Sequence, residues 1–138
     1  MSIERETSYG GVVVRGRDVM VIVPRGRHRV LGLPKGGPNA GESPEETAAR
    51  EVREETGITA TVRDRLGQVD YTYRRGGRQV AKTVHFYLCE FEDGDTANHD
   101  HEVDDARWMP LEEARRRLSY PGEREMIDRA LSILAANG

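Results

Sequence analysis

Residues 36–58 read GGPNAGESPEETAAREVREETGI, and this stretch decides how the chain folds. Ser43 has the chemistry of an N-cap, Pro44 suits the first helical position, and Glu46 completes a capping box with Ser43. Gly57 follows Thr56 as a C-terminal stop. The spacing therefore predicts a helix over Ser43–Thr56. On a wheel of about 100° per residue, Glu51, Glu54 and Glu55 fall within an arc of roughly 100°. Ala48 and Val52 border that arc, and Arg50, Arg53 and Glu46 are expected on the far, solvated side. Glu51 and Glu55 stand at i,i+4, where like charges repel. Arg50 can relieve Glu54 but cannot neutralise all three. A solvated acidic face and a divalent-metal site are both open on these residues alone. Oxygen-only ligands would favour Mg²⁺, with Mn²⁺ as a substitute, over zinc.

The residues just upstream add weight to the second reading. Leu33-Pro34-Lys35-Gly36-Gly37 leads through Gly41-Glu42 into the helix. Glycines let a backbone approach a ligand closely, and a helix N-terminus favours anions. Lys35, Gly36 and Gly37 are thus candidate phosphate contacts. Nineteen of the 21 basic residues are Arg, so the two lysines, Lys35 and Lys82, draw notice.

Outward from this core the chain divides simply. Tyr9–Val14 and Val19–Val23 read as two strands of a hairpin around Gly16-Arg17-Asp18. Residues 24–41 read as a long loop. Ile58–Tyr73 carries intermittent apolar residues, Arg74–Arg78 turns the chain, and Val80–Phe91 is a long strand ended by Asp93-Gly94-Asp95. Arg107–Met109 is a short strand, Leu111–Leu118 a short helical turn, and Glu123–Ala136 a helix with Met126, Ile127, Ala130, Leu131 and Leu134 on one face. The order of strands and helices predicts an α/β fold with a mixed or antiparallel sheet.

At 138 residues, 36% hydrophobic and 33% charged, the chain is the size of one domain, 1–138, with a real core. No apolar run reaches the ~18–20 residues of a membrane span, and the opening MSIERETSYG lacks the character of a secretory leader. The single cysteine, Cys89, excludes a disulfide framework and fits a reducing, cytoplasmic setting. A net charge of −3 argues against a nucleic-acid-coating protein. A small anionic substrate held through a metal, by a monomer or homodimer, remains the expected partner.

Read together, Gly36, Glu42, Arg50-Glu51-Val52, Glu54-Glu55 and Gly57-Ile58 match the Nudix box, G-x5-E-x7-R-E-U-x-E-E-x-G-U with U aliphatic, at every fixed position. The chain resembles the Nudix hydrolases over nearly its whole length, from Gly10–Val14 to the segment His101–Ala114. The resemblance implies an α/β/α sandwich with a mixed, partly barrel-like sheet between helices. It implies hydrolysis of a nucleoside diphosphate linked to another group. Glu51, Glu54 and Glu55 would hold metal, with Glu102 as a fourth carboxylate. Arg50 would orient a glutamate, and either Glu54 or Glu102 would act as base.

Leu33-Pro34-Lys35-Gly36 and Lys82–Tyr87 further resemble the diadenosine polyphosphate hydrolases, so a dinucleoside polyphosphate is the expected substrate. An (oxidised) nucleoside triphosphate pyrophosphohydrolase is the alternative, and a non-catalytic nucleotide sensor is disfavoured by the intact glutamates. Two departures bear on substrate seating: no acid precedes Gly41, and Leu31 stands where many relatives have Trp. Tyr71, Tyr73, His85, Tyr87 and Lys82 are candidates for contact with a base or a second phosphate. His99-Asp100-His101 reads as a solvated loop, Cys89 as buried, and Trp108 as core at a strand end.

Overall fold

The computed structural model describes residues 3–137. Strands β1 (Glu4–Arg15) and β2 (Asp18–Pro24) form the expected hairpin, but pair only at Val14–Val19 and Arg15–Asp18. Beyond that point β1 takes a new antiparallel neighbour, β3 (Lys35–Gly36), inside the stretch expected to be loop. Strands β4 (Ile58–Arg75) and β5 (Arg78–Gly94) make a long hairpin turned by Gly76 and Gly77 at φ 56° and 79°. The intermittent pattern of β4 has a cause: register shifts near Ala60, Arg65 and Gly67 break the two-residue alternation. β5 runs parallel to β1, and β6 (Val103–Pro110) runs antiparallel to β2.

β1 starts well before the predicted Tyr9. Its first residues are polar because charge, not apolar alternation, ties them to the hairpin. Glu4 accepts from Arg78 Nη1 at 2.9 Å and Glu6 from Lys82 Nζ at 3.3 Å.

The mixed sheet has the order β4-β5-β1-β2-β6. It is open: β4 and β6 lie at opposite ends and do not pair. Along its length β1 passes its edge from β2 to β3. Helix α1 (Pro44–Thr56) packs on one face over Val13, Met20, Ile22, Tyr87 and Cys89. Helices α2 (Leu111–Arg117) and α3 (Pro121–Asn137) pack on the other, over Val12, Val21, Val84, Phe86 and Leu88. β5 is thus core on both faces over Val84–Cys89, where one core face would suffice for an exposed sheet. Trp108 is only half-buried, because β6 is an edge strand; it meets Phe91 edge-on at 5.6 Å, with the Arg15 guanidinium 4.1 Å from its ring. Among the described residues, no helix is long and apolar enough to cross a membrane.

Candidate active site

Local chemistry fixes α1 where the sequence puts it. Ser43 Oγ accepts the Glu46 N–H, and Glu46 returns the bond by accepting the Ser43 N–H at 2.9 Å. Gly57 closes the helix at φ 78°, a left-handed conformation that a side chain would strain. The segment before the helix is pressed against β1, and Gly10 allows it: a Cβ there would strike the Pro34 carbonyl and the Lys35 stem.

Gly36 plays a second such part. A Cβ at Gly36 would collide with the whole Glu51 carboxylate. The bare backbone of β3 is therefore the surface on which that carboxylate rests. Gly36→Ala is expected to displace Glu51 and lower kcat/KM roughly ten- to a hundredfold, the scale of disturbing a ligand's support. The circular-dichroism melt should stay cooperative. Turnover within twofold of the parent would show that the contact is dispensable.

Arg50 is the centre of the polar network. Its Nε donates to Glu42 at 2.6 Å, Nη1 donates to both Glu54 oxygens at 3.0 and 3.1 Å, and Nη2 donates to the Gly37 carbonyl at 2.7 Å. Glu51 lies 3.4 Å from Nη1. The helical wheel places Arg50 on the solvated side, but the side chain is only 15% exposed. The loop over 37–42 folds back and covers it. The Arg50 hydrogen bond holds the Glu42 carboxyl down at about 2, helped by the Asn39 N–H.

Burial raises the Glu51 carboxyl above its usual range; Arg50 draws it back, while Glu54 and Glu102 push it up again. Burial also pushes Glu55 up to about 8, with Glu51 and Asp100 adding to it against the opposing Lys35. Lys35 N–H donates to Glu55 Oε1 at 3.0 Å. Among the described residues, no three His, Cys, Asp or Glu side chains form a ready-made cage. Glu54 is drawn to Arg50 and Glu55 to β3. The set still fits a hard divalent ion: it is all oxygen, and its buried carboxylates repel one another. An ion such as Mg²⁺ keeps several waters and needs few protein ligands.

A cleft of about 950 Å³ opens on the α3 side of the sheet. That is room for a nucleotide. Lys35, Gly36, Glu55, Glu102, Tyr71, Tyr73 and Lys82 line it, so seven of the sequence candidates converge there. Gly37, Arg50, Glu51 and Glu54 are not among its lining residues. His85 and Tyr87 face the other way. His85 stacks on Tyr9 at 5.3 Å and sits 3.0 Å from Arg65. Tyr87 is buried beneath α1. Tyr71 is 42% exposed at the mouth of the cleft. Lys82 and Tyr73 are both engaged by Glu6, Tyr73 O–H donating at 2.6 Å.

Sequence reasoning missed Glu123, which also lines the cleft and is buried. Its Oε1 accepts the Leu33 N–H at 2.9 Å, and its Oε2 pairs with Lys35 Nζ at 3.2 Å. Burial lowers the Lys35 ammonium, but the charge and hydrogen bond of Glu123 outweigh it, so the net shift is upward. A signal was present. Glu123, Met126, Ile127 and Ala130 are spaced i, i+3, i+4, i+7, which places an acid on the apolar stripe of α3.

Comparison with known proteins agrees with this architecture. Residues 5–130 match the NUDIX domain family. A Mycobacterium tuberculosis (strain CDC 1551 / Oshkosh) protein named "Putative mutator protein MutT4" is 42% identical over 150 residues, covering 100% of this chain and 60% of that protein. The 8-oxo-(d)GTP phosphatase of Mycolicibacterium smegmatis is 36% identical over 124 residues, covering 89% of this chain and 37% of that protein. The chain thus corresponds to 60% or less of the length of these two relatives. The solved structure of a C. elegans Ap4A hydrolase binary complex shares the fold, with a TM-score of 0.76 at 22% identity over 95% of this chain and 98% of that one. The family match runs from β1 into α3 and takes in the whole of α1 with the loop that feeds it, so the chain belongs to the Nudix family.

Proposed function

We propose that the chain is a divalent-metal-dependent pyrophosphohydrolase acting on a nucleoside triphosphate, with oxidised purine nucleotides as the substrate class. The observation that carries this reading is the engagement of Lys35. Its ammonium is paired with Glu123, and the two side chains are 24% and 4% exposed. A lysine so committed is not a free cation awaiting a long phosphate chain, which was the main sequence argument for a dinucleoside polyphosphate. The names of the two mycobacterial relatives support the same direction. One observation favours the dinucleotide reading: Tyr71 and Tyr73 line the cleft with their rings 6.2 Å apart, where a second base could stack.

Glu51, Glu54, Glu55 and Glu102 are the residues that would hold the ion, which when bound neutralises phosphate oxygens and acidifies a water. Glu102 reaches the cleft, while its hydrogen bonds run through its main chain, to Asp100 and from Arg25. Its carboxylate is therefore available to take the proton of the attacking water. Glu54, held by Arg50, is less free to do so. The bare backbone at Gly36 makes room for the Glu51 carboxylate and so seats that ligand beside the phosphate, without meeting the phosphate itself.

The test is a substrate panel in Mg²⁺ with products separated by chromatography. A nucleoside monophosphate and pyrophosphate are expected, with 8-oxo-dGTP preferred over dGTP. A higher kcat/KM for diadenosine tetraphosphate, giving ATP with AMP or two ADP, would overturn the reading. Lys35→Met is expected to cost both substrates equally, by a few-fold. A loss roughly tenfold larger on the dinucleotide would return Lys35 to the phosphate chain.

A further inference from the structure

Glu123 is the one charged side chain fully buried among the described residues. A buried carboxylate is costly unless it is paired and hydrogen-bonded. Both of its partners, the Leu33 N–H and the Lys35 ammonium, lie on the short segment that enters β3. That same segment donates the Lys35 N–H to Glu55. Glu123 on α3 is thereby linked, through two residues of backbone, to a carboxylate of α1, the helix that packs on the opposite face of the sheet.

The arrangement poses an electrostatic question. The stem of Lys35 begins beside Glu55, and both residues line one cleft. An ammonium on a flexible four-carbon stem is a compact point charge. Tethered this close, its effective concentration near Glu51 and Glu55 would be at least of order millimolar. Left free, it would be an internal rival to any cation held there. Glu123 holds it elsewhere, on the α3 wall, with the Tyr120 ring 5.9 Å away.

We infer that Glu123 is a positioning residue. It pins the Lys35 ammonium to the α3 wall of the cleft and so keeps the carboxylates of α1 open to a divalent cation. The inference rests on the metal-dependent reading given under Proposed function and adds a residue that governs it. A purely structural role for the ion pair makes a different prediction: Glu123→Gln would lower Tm through the charge left unpaired and leave the Kd for Mn²⁺ unchanged.

The experiment measures Mn²⁺ binding without substrate, by the electron-paramagnetic-resonance signal of the free aquo ion, on the full chain. Glu123→Gln keeps the shape and an acceptor for Leu33 but loses the charge that holds Lys35. It is expected to weaken Mn²⁺ binding roughly tenfold. The double variant Glu123→Gln with Lys35→Met removes the rival ammonium. It is expected to return the Kd to within about threefold of the parent, a non-additivity that marks coupled residues. Thermal melts accompany each variant. If Glu123→Gln does not fold, Glu123→Met replaces it. Its side chain fills a similar volume and also lacks the charge that holds Lys35, so the same weakening is expected. Unchanged binding in the single variant, or a double variant as weak as the single, would overturn the inference. A parent protein that binds no Mn²⁺ would instead remove the metal-dependent reading itself, and this inference with it.

Discussion

Glu55→Gln and Glu54→Gln are each expected to lower kcat by at least about a hundredfold, the scale of losing a metal charge or a proton acceptor. Neither should unfold the protein. Glu55 sits at the end of a helix whose caps and apolar face are untouched by the change, and removing one of three crowded carboxylates relieves repulsion. For Glu55 the effect on stability has a definite pH window. Its carboxyl is pushed from the ordinary 4.5 to about 8 in the metal-free fold, chiefly by burial. Below about 4.5 it is protonated in folded and unfolded chains alike, and costs nothing. Between about 4.5 and about 8 the unfolded chain has released the proton that the folded chain keeps, so the protein loses stability across that window, and the loss is complete above about 8. Metal-free Glu55→Gln should therefore match the parent in Tm at pH 4 and exceed it at pH 9. Turnover and melting measured on the same preparations check both halves. Near-parental turnover in either variant would remove these glutamates from the metal site.

What the sequence disclosed, and what it withheld, follows from the range of the interactions. Helix α1 was legible because its signals are local: Ser43 and Glu46 are three residues apart, and Gly57 acts on its own backbone. The clustering of Glu51, Glu54 and Glu55 is helical arithmetic for the same reason. Arg50 was misplaced because a wheel knows nothing of the loop over 37–42, whose Gly37 carbonyl and Glu42 carboxylate enclose the guanidinium. The pair β1–β3 was invisible, since two residues carry no periodicity and the contact depends on what Gly10 lacks. The start of β1 was hidden by charges whose partners, Arg78 and Lys82, lie far along the chain. Glu123 joins residues nearly ninety positions apart, through a pairing that only the packing of α3 against the sheet creates. Local chemistry thus named the carboxylates of the candidate site. The tertiary fold decided which cations stand beside them.

Arg50 is the cation whose loss should be felt most widely. Arg50→Met keeps the apolar stem but removes every hydrogen bond to Glu42, Glu54 and the Gly37 carbonyl. Three consequences follow together. Glu51 and Glu54 lose their nearest positive charge, so both reorient, and kcat/KM should fall roughly ten- to a hundredfold, as for other supports of metal ligands. The loop over 37–42 loses its anchor to α1, and Tm should drop by about 5 °C at pH 7, a modest change for a domain of this size. Arg50→Lys should recover little of either, because one ammonium cannot serve a carboxylate on each side and a carbonyl in a fixed fork. The stability loss should also depend on pH in a set direction. In the parent, the Arg50 hydrogen bond holds Glu42 at about 2, below its ordinary 4.5. That contribution is present above about 4.5 and disappears as pH falls toward 2. The gap in Tm between parent and Arg50→Met should therefore narrow steadily between pH 5 and pH 2. A gap that stays constant across that range would mean that Arg50 stabilises the fold by packing alone, and that its ion pair with Glu42 is incidental.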